Sequence, residues 1–423
     1  MITGLGVRNF KSWEDSGKLQ LAPLTGLFGA NSSGKTSILQ ALLLLKQTVE
    51  HPSQDWNEPF YFGNEESLVN LGSFDDIVHR PKNNLGSGIS VSWQLREKTT
   101  LRNINADTLS FFFTAFMGML DGFHYRFGEH AFDVTPTGNH EYAIDTPFGA
   151  DTTESLFRCY GIRGISTATQ KVFYDLEKAL ADLFSRILYL GPLREYPRSH
   201  YPWEGDHPTS VGLYGEKTVS ALLSGRIRQH LSVDEQILKW LRRLELIDSY
   251  EVQPISDTGG DYEFLVKKFE GGPEVRLIDV GFGVSQVLPV LILCYYAPED
   301  SVLILEQPEA HLHPKAQSEL ADVLVDVVKT RNIQIILESH SEHLLLRLMR
   351  RIAEYGICDE GISADQTRFY FCEINDGKSK AEQLKVDEYG NISNWPRDFF
   401  GDEMGDLAAK TRAEMQRRKA NKR

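Results

Sequence analysis

The first fifty residues move from a β-compatible pattern to a helical one. Ile2–Asn9 and Lys18–Leu21 alternate or carry β-formers, and Leu24–Phe28 is a short apolar run, which predicts strand, turn, strand, strand. Ser37–Val49, with its Leu42–Leu45 run, predicts a largely buried helix, ended by the polar, Pro-containing sequence from His51 to Gly63. From about Ser87 to Ala150 aromatics and β-formers dominate, as in Leu109–Phe113 and His124–Phe127, predicting an antiparallel region set between two halves of an α/β unit. Thr169–Ile187 and Val233–Leu246 carry apolar residues at helical spacings, and the Pro- and Gly-rich Gly191–Gly215 between them predicts loop. In the final third, Val302–Leu305 and Ile333–Leu337 are wholly apolar, as in strands buried on both faces of a parallel sheet, and Lys315–Lys329 between them has helical periodicity. Nothing repeats and no long heptad tract occurs, so no extended coiled-coil arm is expected.

Composition narrows the class. The 423 residues allow two or three packed units, and 41% hydrophobic with 25% charged residues is an ordinary soluble balance. No run of eighteen apolar residues occurs, and Met1-Ile2-Thr3-Gly4 does not open a signal peptide, so a cytoplasmic location without a membrane partner is expected. Cys159, Cys294, Cys358 and Cys372 form no CxxC pair and read as thiols in a reducing compartment. The net charge of −14 opposes a broadly basic surface without excluding a local nucleic-acid groove. Basic residues cluster at Lys239, Arg242 and Arg243, at Arg347, Arg350 and Arg351, and in the tail from Lys410 to Arg423, and read first as solvated helix faces or a frayed end.

Four segments carry chemistry. Gly29-Ala30-Asn31-Ser32-Ser33-Gly34-Lys35-Thr36 fits the phosphate-loop pattern without mismatch, between an apolar strand and a helix. Its glycines let backbone N–H groups face a phosphate, the helix adds its N-terminal dipole, Lys35 can reach terminal phosphates, and Thr36 offers a hydroxyl to magnesium. Ser301–Glu309 ends an apolar strand on Glu306, and this strand is expected beside the loop strand, with the carboxylate emerging at its C-terminal edge to meet that magnesium. Asp279-Val280-Gly281-Phe282-Gly283-Val284-Ser285-Gln286 brings two glycines and a serine to the start of a helix, a phosphate-binding arrangement. It fails as a dinucleotide fingerprint at Gln286 and as a nucleophile elbow at Val287. Glu338-Ser339-His340-Ser341-Glu342-His343 follows a strand directly, so His340 can contact a terminal phosphate or orient water. A zinc site from His311, His313, His340 and His343, or a simple capping turn, are the alternatives.

In this order the four segments resemble ABC-type ATPases of the group holding SMC proteins, RecF-like proteins and the overcoming-lysogenization-defect (OLD) nucleases. Arg8-Asn9-Phe10-Lys11-Ser12 resembles the group's opening strand, with Lys11 near nucleotide, and Glu306-Gln307-Pro308-Glu309-Ala310-His311-Leu312-His313-Pro314 resembles the OLD-like Walker B and D-loop. The resemblance implies an α/β ABC-ATPase head, a P-loop sheet with an antiparallel β region and a helical signature lobe. It makes Gly29–Thr36, Gly281, Gly283 and Ser285 nucleotide contacts, Thr36 and Glu306 the Mg2+ ligands, and His340 the switch histidine. ATP and Mg2+ are the implied cofactors, and a homodimer or higher oligomer of ATP-sandwiched heads the implied assembly, acting on DNA or on a separate effector such as a nuclease. Expected units are 1–86 and 276–375 as halves of the head, 87–275 as an inserted β and helical lobe, and 376–423 as a small C-terminal domain with a basic tail. The sequence through Lys385–Asn391, Trp395-Pro396 and Phe399-Phe400 resembles a short uncharacterised domain found after some of these ATPases.

Two departures bear on function. Gln307 stands where many relatives carry the carboxylate that polarises water, so hydrolysis is expected to be slow or to use Glu309. Only eighty residues follow His343, short for the TOPRIM nuclease domain of OLD proteins. The leading expectation is therefore an ATP-gated dimer switch in anti-phage defence or DNA maintenance. An OLD-like nuclease with an active site near Asp359–Asp376 and a transport-type ABC protein are the competing readings.

Overall fold

The computed structural model describes residues 1–51, 58–79, 86–138, 141–165, 167–229, 232–256, 260–396 and 410–414. Phe399-Phe400, most of the basic tail and part of the His51–Gly63 stretch lie outside the described residues.

Strand alternation organises the centre. A six-stranded sheet runs Ile187–Leu190, Val302–Glu306, Gln334–Glu338, Leu24–Gly29, Thr367–Asn375, Lys378–Gln383, with five parallel strands and an antiparallel edge. Because side chains alternate across a strand, Leu303 and Leu305 enter one core while Val302 and Ile304 enter the other. Both faces are therefore apolar, which explains the uninterrupted hydrophobic runs. On one face lies helix Lys35–Glu50, buried along most of its length beneath a nine-stranded antiparallel sheet. On the other, helices Thr218–Gln229, Ser232–Arg243, Phe282–Tyr296, Pro314–Arg331 and Glu342–Ala353 share a second core.

The predicted helices and strands match these elements closely, and the mixed α/β class with its antiparallel region is present. Three expectations are corrected. The Glu306 strand does not lie beside the loop strand, because Gln334–Glu338 pairs with both and separates them. The antiparallel region is not set apart from the N-terminus, since Ser87–Leu101 pairs with Ile2–Phe10 in one continuous sheet. The boundary at 375/376 falls inside the Thr367–Asn375 and Lys378–Gln383 hairpin, so the C-terminal segment helps build the central sheet. The periodicity also missed Ile187–Leu190, read as the end of a helix, and a small sheet of Tyr201–Pro202, Ser249–Pro254, Asp261–Lys267 and Glu274–Arg276. These strands are four, two, six, seven and three residues long, and most are too short for a periodic signal.

The basic clusters are only partly solvated faces. Arg242 and Arg350 are exposed, but Arg243, Arg347 and Arg351 turn inward onto Asp322, whose side chain is 1% exposed. Their guanidinium nitrogens lie 2.7, 2.7 and 2.6 Å from its carboxylate, and Glu319 and Glu360 complete the network. One buried carboxylate thus joins helix Ser232–Arg243 to the helices that follow Glu306 and His340.

Candidate nucleotide site

Parallel strands deliver their last residues to one edge of a sheet, where loops can gather them. Here that edge holds Gly29, Glu306 and Glu338. The loop turns through Ser32 at φ 60° and Gly34 at φ 93°, the left-handed conformation that glycine adopts without strain. Ala30, Asn31 and Ser32 are exposed while Ser33, Gly34 and Lys35 are buried. The Lys35 ammonium donates to the Gly29 carbonyl (3.1 Å), the Ala30 carbonyl (2.6 Å) and Ser33 Oγ (3.2 Å), so the loop wraps its own cation. Burial pushes the Lys35 pKa down, opposed by the charge of Glu338.

The carboxylate nearest Thr36 is Glu338. Thr36 Oγ1 donates to Glu338 Oε2 at 2.8 Å, and Lys35 Nζ lies 4.0 Å from Glu338 Oε1. Glu306 sits one strand farther along, in direct register with Glu338, and accepts a 2.8 Å bond from Tyr189 Oη. Burial, with the negative charge of Glu338 second, pushes the Glu306 pKa up to about 7. Glu338 and Glu309 are also raised, each chiefly by burial. The assignment of Thr36 and Glu306 as the metal pair therefore has to admit Glu338 between them. Its signal was in the sequence: VLILE and QIILE are two apolar runs that both end in glutamate.

The turn after Glu306 is held from outside. Gln307 has φ 45°, its N–H donates to the Glu338 carbonyl at 2.8 Å, and Arg194 donates to the carbonyls of Glu306 and Gln307 at 2.9 and 2.8 Å. Arg194 comes from the Pro- and Gly-rich loop, which carried no motif to flag it. Gln307 is half-buried, whereas Glu309 is buried and its Oε1 accepts from Ser339 Oγ (2.6 Å) and His340 N (2.9 Å). His340 is partly exposed, with Nε2 3.9 Å from Glu338 Oε1, and burial with the Lys35 charge lowers its pKa. Lys11 lies on the other side of the loop helix and donates to Gln40 Oε1 at 2.5 Å.

Two predicted groups fall outside this cluster. Gly281 and Gly283 open helix Phe282–Tyr296, with Gly281 exposed, but the Ser285 hydroxyl donates to the Phe282 carbonyl at 2.8 Å and is buried. The Ser285 hydroxyl thus holds the first helical turn in this single chain, beside the backbone of Gly281 and Gly283. Phe282 packs against Tyr196 and His311, so that helix end adjoins the turn that follows Glu306. His313 caps helix Pro314–Arg331, and among the described residues no group of three or more His, Cys, Asp or Glu side chains is arranged as a zinc-type site. The donor set instead suits ATP with Mg2+: a glycine-formed cradle, one lysine, one hydroxyl and two carboxylates, a hard-oxygen set.

The buried acids have a stability cost with a defined sign. Glu306 keeps a proton in the folded state up to about pH 7 that the unfolded chain loses near the ordinary carboxylate value of 4.5. Its contribution is full below that value and is lost as pH rises through 7. Glu306→Gln should therefore stabilise nucleotide-free, metal-free protein by about 2–3 kcal/mol at pH 8 and much less at pH 5. Denaturant unfolding at the two pH values checks it, and an equal effect at both would contradict this origin.

Comparison with known proteins agrees with the fold. The model "AAA ATPase domain" matches residues 1–91 and "AAA domain, putative AbiEii toxin, Type IV TA system" matches 222–347. "Protein of unknown function (DUF3696)" matches 362–409. No curated protein matches the chain. An SMC head solved with the C-winged helix domain of ScpA is similar at TM-score 0.50 and 14% identity, covering 92% of this chain and 98% of that one. SMC heads from Thermotoga maritima and Pyrococcus furiosus give TM-scores of 0.43 and 0.49 at 11% and 12% identity. The former covers 91% of this chain and 99% of that one, the latter 91% and 96%. The two AAA models thus match separate segments that hold the Gly29–Thr36 loop and the Glu306 and Glu338 strands, and the SMC head shares the fold.

Proposed function

We propose that the chain is an OLD-like ATP-gated switch: it binds ATP with Mg2+, hydrolyses it slowly, and pairs its heads across the nucleotide to control DNA or a separate effector protein. The observation that carries this reading is the convergence of Lys35, Thr36, Glu338 and Glu306 on one sheet edge beside the phosphate loop. Lys35 and the loop amides hold the phosphates, and Thr36, Glu338 and Glu306 hold the metal. Bound magnesium would supply positive charge to the terminal phosphate oxygens and offset the charge of the carboxylates.

Water is oriented by Gln307, which stands half-buried at the turn with its backbone fixed by Arg194 and Glu338. Glu309 is buried and spends one carboxylate oxygen on the His340 loop, while its Oε2 has no hydrogen-bond partner among the described residues, so Glu309 is the alternative base. Gly281 and Gly283 present the signature helix end to a second head, the arrangement that the ABC resemblance implies. The similar SMC head was solved with a protein partner, which favours an effector bound to the head. Anti-phage defence or DNA maintenance is the setting in which such switches act.

The nuclease alternative gains no support from Asp359–Asp376. Thr367–Asn375 is a strand of the central sheet, Glu360 is spent on Arg243 and Arg351, and Asp365 lies in a capping turn. Among the described residues there is no helix long and apolar enough to cross a membrane.

Two variants test the reading. Lys35→Ala should lower ATP affinity roughly ten- to a hundred-fold in a folded protein, since a charge-assisted contact contributes about 1.5–3 kcal/mol. Calorimetric titration measures this, and unchanged affinity would sink nucleotide binding at this loop. Gln307→Glu should raise steady-state turnover several-fold, because a carboxylate accepts a proton from water where an amide does not. Turnover that stays the same or falls would remove Gln307 from the water-orienting role.

A further inference from the structure

The segment matched only by a model of unknown function touches both ends of the phosphate loop. Thr367–Asn375 pairs with the loop strand so that Phe371 faces Phe28 and Cys372 faces Gly29. Gly29 is at φ 134°, and a side chain there would collide with the Cys372 backbone. The chain then turns back through Lys378–Gln383, which brings Ser379 to the far end of the loop. Ser379 N donates to the Ser12 carbonyl at 2.8 Å, and Ser379 Oγ donates to Ser12 Oγ at 2.7 Å. A Cβ on Gly34 would collide with Ser379 Oγ and stand 2.8 Å from both Ser12 Oγ and Trp13 Nε1.

Trp13 completes the grip. Its ring is fully buried, and Nε1 donates to the Gly34 carbonyl at 3.0 Å. In a trans peptide the carbonyl and the following N–H point in opposite directions. The Gly34 carbonyl also accepts from Ile38 N at 3.3 Å as the first bond of the helix, so Trp13 adds a second donor that fixes this peptide, whose Lys35 N–H points the opposite way within the same plane. That N–H is one of the helix's first four, which have no partner within the helix and are the donors an anion meets. Glu14 and Lys378 pair at 2.5 Å and tie the Trp13 turn to the same hairpin.

We propose that the C-terminal hairpin and the Ser12–Trp13 turn form a clamp on the phosphate loop, with Trp13 and Ser379 as positioning residues for ATP binding. The segment of unknown function is thereby an integral part of the nucleotide site and sets its affinity from more than 340 positions along the chain. Trp13 acts on an amide and Ser379 acts on the turn that carries Trp13, so neither touches ATP. The proposal rests on nucleotide binding at this loop.

The test compares full-length Trp13→Phe, Ser379→Ala and Trp93→Phe with wild type. Trp93 is as buried as Trp13, yet its Nε1 has no hydrogen-bond partner, so Trp93→Phe controls for loss of indole bulk alone. ATP Kd should rise about five- to tenfold in Trp13→Phe and less in Ser379→Ala, as expected for loss of one neutral hydrogen bond. The loss in kcat/KM should fall on KM. Trp93→Phe should bind ATP as wild type does. If wild type binds ATP and Trp13→Phe and Ser379→Ala bind it equally well, the clamp is overturned while the nucleotide reading survives. An affinity loss shared equally by Trp93→Phe, or one that falls on kcat, also overturns it. If wild type itself binds no ATP, the underlying nucleotide reading has failed and the clamp falls with it.

Discussion

Two glutamates buried side by side cannot both carry charge without a counter-charge, and that constraint organises the candidate site. Glu306 and Glu338 end neighbouring parallel strands in register, so the sheet itself forces them together. Burial of a carboxylate costs several kcal/mol unless a partner compensates. Tyr189 and Thr36 each give one hydroxyl, and Lys35 stands 4.0 Å from Glu338. These are enough to hold the arrangement and not enough to neutralise it. Burial raises the pKa of both acids despite the nearby charges of Lys35 and Arg194, and a divalent cation bearing phosphate oxygens would supply the counter-charge that lets both ionise.

The surroundings serve that edge. The two cores on either face of the sheet fix the strand ends, because each strand is gripped through alternate residues. Arg194 fixes the turn at Gln307, Glu309 ties it to the His340 loop, and the Asp322 network joins the helices that leave those two loops. These polar contacts fix the turn at Gln307 to the packed helices around it. The helix end at Gly281 abuts the turn after Glu306 through Phe282 and His311.

Much of this was legible in the sequence because it is local. The phosphate loop lies within eight residues, and the long buried helix and the apolar strands each declare themselves by period and composition. Strand order was not legible, since VLILE gives no sign of which strand it will pair with. That is why Glu338 was passed over in favour of Glu306 as the acid beside Thr36. Arg194, Trp13 and Ser379 were invisible for a related reason: each acts on a backbone carbonyl or turn distant in sequence, and such contacts leave no spacing to read. The Ser285 bond to the Phe282 carbonyl is a contact of the other kind, local to one helical turn and within reach of sequence reading.

The claim that the paired acids serve a magnesium-bound nucleotide is tested most directly by the metal dependence of ATP binding in Glu338→Gln. Thermal stabilisation by ATP should be compared with magnesium and with a chelator, in wild type and in the variant. Wild type should gain clearly more from ATP with magnesium than from ATP alone, and in Glu338→Gln that difference should largely disappear. A magnesium-dependent gain of full size in the variant would contradict the account.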